Sequence, residues 1–129
     1  MTANIEIVRE LYRAFKEKDY DSFVSICDEK ISWDQNPGFP GGGRYVGANA
    51  VIENVFKAFD NSWTEWAFKI KEFHDANEVI VVTGEYHGRH QKTGVFFISE
   101  AAHLYRIKDG RVIAFQQYCD TKLIWDAMG

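Results

Sequence analysis

The sequence has little of what nucleic-acid, membrane or secreted proteins require. Its formal charge is −4, from 15 Lys and Arg against 19 Asp and Glu. Because the two signs are mixed along the chain, we find no basic stripe for nucleic acid and no polybasic membrane patch. The longest apolar runs, such as residues 79–82 and 95–98, are far shorter than the ~20 residues that cross a bilayer.

The N-terminus also has no continuous apolar run and is charged from its sixth residue. It therefore lacks the apolar core of a secretory signal. Cysteine is scarce, and the spacing of Cys27 and Cys119 matches no metal-binding or redox motif. Two reduced thiols are typical of a cytoplasmic protein, which is the location that we expect.

The histidines do not predict a metal site. His87 and His90 are spaced like two ligands, but the sequence places no third ligand beside them. We therefore expect no metal and no other cofactor.

Aromatic residues, in contrast, are abundant: ten Phe, six Tyr and four Trp in 129 residues. This length predicts one domain, residues 1–129, that buries a core without disulfides or metal. The aromatic content exceeds what a minimal core needs, so it indicates an aromatic-lined cavity or an oligomer interface.

The first half of the chain reads as helices. Apolar residues at three- and four-residue spacing over residues 5–15 predict a helix, and a second is predicted over residues 20–27 with Asp19 as its N-cap. Residues 36–43 hold both prolines and four glycines, so they form an irregular loop that is either mobile or held by other contacts. A third helix is predicted over residues 47–59.

The second half reads as strands. They are predicted over residues 31–34, 66–73, 78–89, 95–107 and 112–120. Asp109-Gly110 is a strong hairpin signal, and a last helix follows over residues 121–128. Long strands with short connections predict an antiparallel sheet, and helices before strands predict an α+β fold. A curved sheet wrapped around helices makes a cone with an open end.

Several short motifs resemble one superfamily in their order and spacing. They are YRAFKEKDYDSF (residues 12–23), Trp33-Asp34, GRYVG (residues 43–47), RIKDGRV (residues 106–112) and QYCDT (residues 117–121). Together they resemble the SnoaL-like and ketosteroid-isomerase-related branch of the nuclear transport factor 2-like superfamily. The resemblance implies a cone-shaped, cystatin-like α+β barrel that forms a homodimer through the outer face of its sheet. It is less specific for an activity, because this fold hosts many functions.

Asp120 is the first catalytic candidate. The resemblance to SnoaL-like cyclases implies a general acid or base at this point, near the end of the last long strand. The alternative is that Asp120 caps the helix that follows it. Alternation along the strand places Asp120 on the same face as Tyr118, and Gln117 and Cys119 on the opposite face. Only one of these two faces can line the cavity, so the position of Asp120 stays open.

Asp34 is the reserve candidate. The resemblance to ketosteroid isomerases implies a carboxylate base near the end of the first strand, within a residue of Asp34. Asp34 also begins a turn-rich loop, where Asp is common for local hydrogen bonding.

The sequence departs from the isomerase pattern at two positions. The tyrosine expected on the first helix falls at Leu11, and Tyr12 is about 100° further round that helix. The acid expected on the third long strand falls at His103. These departures argue against steroid isomerisation, and residues 99–103 also lack the Arg-x-Asp pattern of epoxide hydrolases.

His103 is the most informative of these changes. An imidazole that titrates near neutrality could exchange protons with Asp120 or Asp34. The alternative is a core histidine with its hydrogen bonds satisfied.

Aromatic side chains are the candidates for a substrate-binding wall. The set is Trp33, Tyr12, Phe56, Trp66, Tyr86 and Tyr118. Such a wall suits a small, flat, hydrophobic ligand such as a polyketide, another aromatic compound or a terpenoid. The loop at residues 36–43 would be either a lid or a flexible connection.

The function predicted is cofactor-independent general acid/base catalysis, cyclase- or isomerase-like, on a small hydrophobic metabolite. The residues predicted to carry it are Asp120 and His103, with Asp34 in reserve. The alternative is a binding module that uses the same cavity without catalysis. If Asp120 and His103 share a pocket, the enzyme is favoured; if Asp120 caps the last helix and His103 is packed, the binding module is favoured. A third possibility, a protein-interaction module, predicts a filled cone and an exposed apolar patch instead.

Overall fold

The computed structural model describes residues 3–129, which form five helices and one six-stranded sheet. The helices are α1 (Asn4–Glu17), α2 (Tyr20–Ile26), α3 (Ala48–Val51), α4 (Lys57–Ser62) and α5 (Lys122–Met128), with a π-helical segment (Ile52–Phe56) joining α3 to α4. The strands are β1 (Cys27–Gln35), β2 (Gly43–Val46), β3 (Trp63–Ala76), β4 (Val79–His90), β5 (Phe96–Lys108) and β6 (Arg111–Cys119). The expected α+β cone is confirmed: the sheet curves around the N-terminal helices.

Helix α1 forms as its apolar spacing predicts, and it buries Val8 and Leu11 against the sheet. It ends at Glu17, and the next residue, Lys18, adopts the left-handed conformation (φ 57°) typical of a helix terminus. The predicted N-cap of α2 is confirmed, because Asp19 accepts a hydrogen bond of 3.2 Å from the backbone N–H of Ser22.

The strand order is β2-β1-β6-β5-β4-β3. Neighbouring strands are antiparallel as predicted, with one correction: β1 and β6 pair in parallel. No short turn joins these two strands, so the sequence holds no local signal for their relative direction. Strand β2 was also missed, because it has four residues and begins with a glycine.

Alternation along the strands decides which side chains face the inside of the cone. Along β5, exposed and buried residues alternate over the first six positions, from exposed Phe96 to buried Ala101. Gly84 and Gly88 of β4 face inwards and make room for rings: a Cβ on Gly88 would lie 2.5 Å from the ring of Phe97. The missing side chains let aromatic rings lie directly against this strand.

The loop between β1 and β2 is held by contacts to the end of the chain. The indole Nε1 of Trp125 donates to the carbonyl of Gly38 (2.7 Å), and the side chain of Asn36 donates to the carbonyl of Cys119 (3.0 Å). Phe39, at the middle of the loop, is 4% exposed and packs against Phe59 and other aromatic rings. Of the two readings of this loop, the structure therefore favours the anchored one.

None of the helices in residues 3–129 is both long enough and apolar enough to span a bilayer.

Candidate functional site

A cavity of about 40 Å³ lies inside the cone, between α1, the π-helical segment and the sheet. Its wall is mainly aromatic, with two aliphatic residues, Leu11 and Val55, and a few polar groups, which include His103 and Gln35. At this size it has room for about two or three waters and not for a metabolite. The cavity alone is therefore too small to hold a metabolite.

An open groove of about 530 Å³ adjoins the cavity, between the end of α1, α4 and β3. The two share six aromatic residues: Tyr12, Phe15, Phe56, Phe59, Trp66 and Phe68. The volume of the groove lies within the range of sites for small molecules. The groove and the cavity meet at these six residues.

Three polar side chains form a hydrogen-bonded row on the wall of the cavity. The hydroxyl of Tyr12 lies 2.6 Å from Nδ1 of His103, and the hydroxyl of Tyr86 lies 2.6 Å from Nε2. Tyr86 in turn accepts a hydrogen bond of 2.8 Å from the side-chain amide of Gln117. We call Tyr12, His103 and Tyr86 the polar row.

The fold brings the members of the polar row together from three elements. His103 lies on β5, where it pairs with Gln117 of β6 on one side and with Val82 of β4 on the other. Tyr86 is four residues after Val82, so alternation turns it to the same inner face. Helix α1 supplies Tyr12 from the other side of the cavity.

Burial keeps the polar row uncharged. His103 is 5% exposed, and burial lowers its pKa to about 3. The sequence had predicted an imidazole that titrates near neutrality, and this is wrong because the apolar surroundings penalise the cation. Burial also raises the pKa of Tyr12 and of Tyr86 above that of a free phenol. The ring of Phe68 stacks on the imidazole with 4.1 Å between centroids, which adds to its desolvation.

Asp120 lies outside the cavity. Its carboxylate is exposed and accepts a hydrogen bond of 3.1 Å from the backbone N–H of Lys122, the first residue of α5. It borders a shallow depression on the outer face of the sheet together with Tyr118. The structure does not bring Asp120 and His103 into one pocket. The carboxylate instead accepts a hydrogen bond at the start of α5, which agrees with the alternative that Asp120 caps this helix.

Asp34 also faces away from the cavity. Arg44 of β2 binds it with both ends of its guanidinium, at 2.7 and 2.8 Å, and this pairing lowers the pKa of the carboxyl. Strand alternation turns the neighbours Trp33 and Gln35 inwards instead. At this point of β1 the residue that lines the cavity is therefore Gln35 and not a carboxylate. The side-chain oxygen of Gln35 accepts a hydrogen bond of 2.9 Å from the indole of Trp33.

Most of the expected aromatic wall is present. Lining the cavity are Trp33, Tyr12, Phe56, Trp66 and Tyr86. Tyr118 is the correction: it is 55% exposed on the outer face, because Gln117 takes the inner position next to it. The shift of Tyr12 from the expected helix position does not remove it from the cavity, since Leu11 and Tyr12 both line it.

Sequence reasoning missed Gln35, Phe68 and Gln117 as parts of the site. Gln117 was within reach, because alternation from the apolar Phe115 places it on the inner face. Phe68 carried no distinguishing signal, being one aromatic residue among many.

Within residues 3–129, no three His, Cys, Asp or Glu side chains lie close enough together to hold a metal ion. His87 and His90 are on opposite faces of β4: His87 is partly exposed beside Glu85, and His90 is buried against Trp63.

Comparisons with known proteins agree on the fold. The family model of the SnoaL-like domain matches residues 8–115. A nuclear transport factor 2-like protein from Burkholderia thailandensis is 31% identical; the alignment covers 100% of this chain and 99% of that chain, with a TM-score of 0.96. TerC, co-crystallised with polyporic acid, is 20% identical over 98% of both chains, with a TM-score of 0.86.

A protein from Shewanella denitrificans that is described as a SnoaL-like polyketide cyclase is 14% identical. The alignment covers 95% of this chain and 94% of that chain, with a TM-score of 0.78. No curated protein matches the chain in sequence.

The neutral, buried imidazole predicts a specific pH dependence of stability. Below the ordinary pKa of about 6.5 the unfolded chain binds a proton at His103 that the folded chain does not, so unfolding becomes easier as pH falls towards 3. Replacing His103→Gln should remove this contribution, which is worth up to about 1.4 kcal/mol per pH unit. Urea unfolding at several pH values between 7 and 4 measures the slope.

His74→Gln, at an exposed position of β3, is the matched control and should keep the wild-type slope. Equal slopes for the wild type and His103→Gln would contradict a buried neutral imidazole.

Proposed function

Because the chain belongs to the SnoaL-like domain family, we propose that it binds one small, mainly aromatic molecule in the groove and directs one polar atom of that molecule at Tyr12. The observation that carries the proposal is the polar row: three uncharged, hydrogen-bonded groups in a mainly aromatic cavity. A site with apolar walls and a few polar groups is the usual design for small-molecule recognition.

The aromatic walls support a flat ligand. Trp66 stacks on Phe59 with 4.4 Å between ring centroids, and both line the groove as well as the cavity. A planar ligand could extend this stack while burying apolar area. TerC, which shares the fold, was co-crystallised with polyporic acid, and we take polyporic acid as the first probe for this chain.

Two lysines at the groove support a ligand whose outer end is anionic. Arg13 and Lys18 are engaged in ion pairs, the latter with Asp60 at 3.0 Å. Lys16 and Lys69 border the same groove and form no ion pair with any residue of 3–129. They are the cations that remain to meet a carboxylate or an enolate.

The absence of a carboxylate from the cavity lining favours binding over charged acid/base catalysis. No Asp or Glu of residues 3–129 lines the cavity, since Asp34 is paired with Arg44 and Asp120 is exposed at the start of α5. A general base of ordinary strength would have to come from elsewhere.

The first experiment is a titration of tryptophan fluorescence, because Trp33 and Trp66 line the cavity. Polyporic acid and 2-tetralone should quench it with saturation. Tyr12→Phe should weaken the binding of 2-tetralone by about 3- to 10-fold, the value of one net hydrogen bond.

Tyr118→Phe is the matched control, since it removes the same hydroxyl from the outer face. It should bind as the wild type does. Saturable binding that is equally strong in Tyr12→Phe would place the ligand elsewhere, and the absence of quenching by either probe would count against the proposal.

Proton transfer to the bound ligand is a second candidate function, cyclase- or isomerase-like. The observation that favours it is the continuity of the polar row: Tyr12 can give up a proton and be reprotonated through His103, which in turn takes a proton from Tyr86. A carbonyl oxygen would take a proton from the row while water removes one from the adjacent carbon and returns it to the row, so that no net charge is left.

Exchange of the α-protons of 2-tetralone in D₂O, followed by NMR, tests this candidate. The wild type should accelerate exchange over buffer, and His103→Gln should lose the acceleration. If His103→Gln exchanges as fast as the wild type, the polar row has no catalytic role and the chain is a binding module.

We also propose a homodimer through the outer face of the sheet. Three large apolar residues are exposed there: Phe96 (42%), Ile98 (44%) and Tyr118 (55%). Ile98→Arg should convert a dimer into a monomer in analytical ultracentrifugation. Val46→Arg, an equally drastic change at an exposed position of the edge strand β2, should leave the dimer intact. A wild type that sediments as a monomer would refute the proposal.

A cytoplasmic location also remains a proposal, and the two free thiols, Cys27 and Cys119, support it.

A further inference from the structure

The polar row has a direction that its distances alone do not reveal. A neutral imidazole donates one hydrogen bond and accepts one. Of its two partners, Tyr12 and Tyr86, one must therefore donate to His103 and the other must accept from it. The tyrosine that accepts keeps its own hydroxyl hydrogen free for another acceptor.

Gln117 orients this row. Its side-chain oxygen accepts a hydrogen bond of 3.0 Å from the backbone N–H of Asn36. Because a backbone N–H can only donate, the amide oxygen must lie on that side, and the NH₂ group must face Tyr86 at 2.8 Å. The orientation of the amide is thus fixed by the backbone of the anchored loop.

The two neutral tautomers of His103 differ in whether the hydroxyl hydrogen of Tyr86 has an acceptor. If Nε2 of His103 carried the hydrogen, Tyr86 would accept from both Gln117 and His103. Its own hydroxyl hydrogen would then have no acceptor within residues 3–129, because these two groups are its hydrogen-bond partners. Tyr86 is 4% exposed, and a buried donor left without a partner costs about 1–3 kcal/mol.

The other tautomer avoids this cost. Tyr86 accepts from Gln117 and donates to Nε2 of His103, and Nδ1–H donates to Tyr12. Every step then runs in one direction, from Asn36 to Tyr12, so that each hydrogen bond polarises the next. The hydrogen of Tyr12 is left at the end of the chain, beside Tyr105. Burial raises the pKa of Tyr105, and its interaction with Tyr12 opposes that rise, so a ligand acceptor would take the hydrogen of Tyr12 in place of Tyr105.

We infer that Gln117 is a positioning residue, which holds His103 in the Nδ1–H tautomer and thereby makes Tyr12 a hydrogen-bond donor to the ligand. The ligand atom that reaches the cavity is then an acceptor, a carbonyl or enolate oxygen, and not a hydroxyl or amine that must donate. The statement about His103 and Gln117 stands on its own, whereas the statement about the ligand rests on the function proposed above.

The tautomer can be measured in the ligand-free protein. Long-range ¹H–¹⁵N NMR of ¹⁵N-histidine-labelled protein distinguishes protonated from unprotonated ring nitrogens, and His103→Gln assigns the signal. We expect Nδ1 of His103 to be protonated and Nε2 unprotonated at pH 7. A protonated Nε2 in the wild type would overturn the inference whatever the ligand proves to be.

Gln117→Glu should reverse the row. An ionised carboxylate accepts from Asn36 and from Tyr86, so Tyr86 would accept from Nε2–H and Tyr12 would donate to Nδ1. The histidine signal should switch tautomer as the new carboxyl ionises at alkaline pH. Gln116→Glu, the same change on the outer face of the neighbouring position, should leave the tautomer of His103 unchanged. No switch in folded Gln117→Glu, once its carboxyl is ionised, would contradict a positioning role.

Two bicyclic probes test the ligand class. 1-Indanone offers a carbonyl acceptor, whereas indole offers an N–H donor. The wild type should bind 1-indanone about 3- to 10-fold more tightly than indole, and Gln117→Glu with an ionised carboxyl should lose or invert this preference. If the tautomer is as inferred but neither probe binds, the proposed function fails and the role of Gln117 stands. Tighter binding of indole to the wild type would overturn the ligand class.

Discussion

The constraint on which the site depends is that polar groups buried among aromatic rings must satisfy one another. Tyr12, His103, Tyr86 and Gln117 come from four elements, yet each forms a hydrogen bond within the set, and Gln117 also accepts one from the backbone of Asn36. An unpaired member would cost more than a typical net hydrogen bond contributes. The relative positions of α1, β4, β5 and β6 are therefore set by hydrogen-bond geometry as well as by packing, and the cavity keeps its shape because these elements cannot slide independently.

Much of the fold could be predicted because its signals are local. The periodicity of α1, the N-cap of α2 at Asp19 and the Asp109-Gly110 hairpin each lie within a few residues. The parallel pairing of β1 with β6 could not be predicted in the same way, because Trp33 and Phe115 become neighbours only through the tertiary structure. The cone shape was predicted from the order of the motifs and their resemblance to a known superfamily. Periodicity alone would have predicted an α+β fold without choosing among several arrangements.

The site was harder to predict, because residue type says little about which face a side chain takes. Asp34 and Asp120 are carboxylic acids near strand ends, where a catalytic acid was expected. Alternation along β1 turns Asp34 outwards to Arg44, and Asp120 accepts a hydrogen bond from the backbone of α5. Alternation from Phe115 would have identified Gln117 instead. The charge state of His103 was mispredicted for a related reason: its pKa depends on neighbours such as Phe68 that are remote in the sequence.

The parallel pairing of β1 with β6 joins parts of the chain that are far apart in sequence. Trp33 and Phe115 stack across it with 3.8 Å between ring centroids, and both belong to the wall of the cavity. Contacts between residues so far apart in sequence are closed slowly, since the loop entropy must be lost before they form. The part of the cavity wall that these two rings form therefore requires β1 and β6 to be paired. A ligand that bound to this wall would bind the folded chain and would raise its stability by an amount that grows with the ligand concentration relative to Kd.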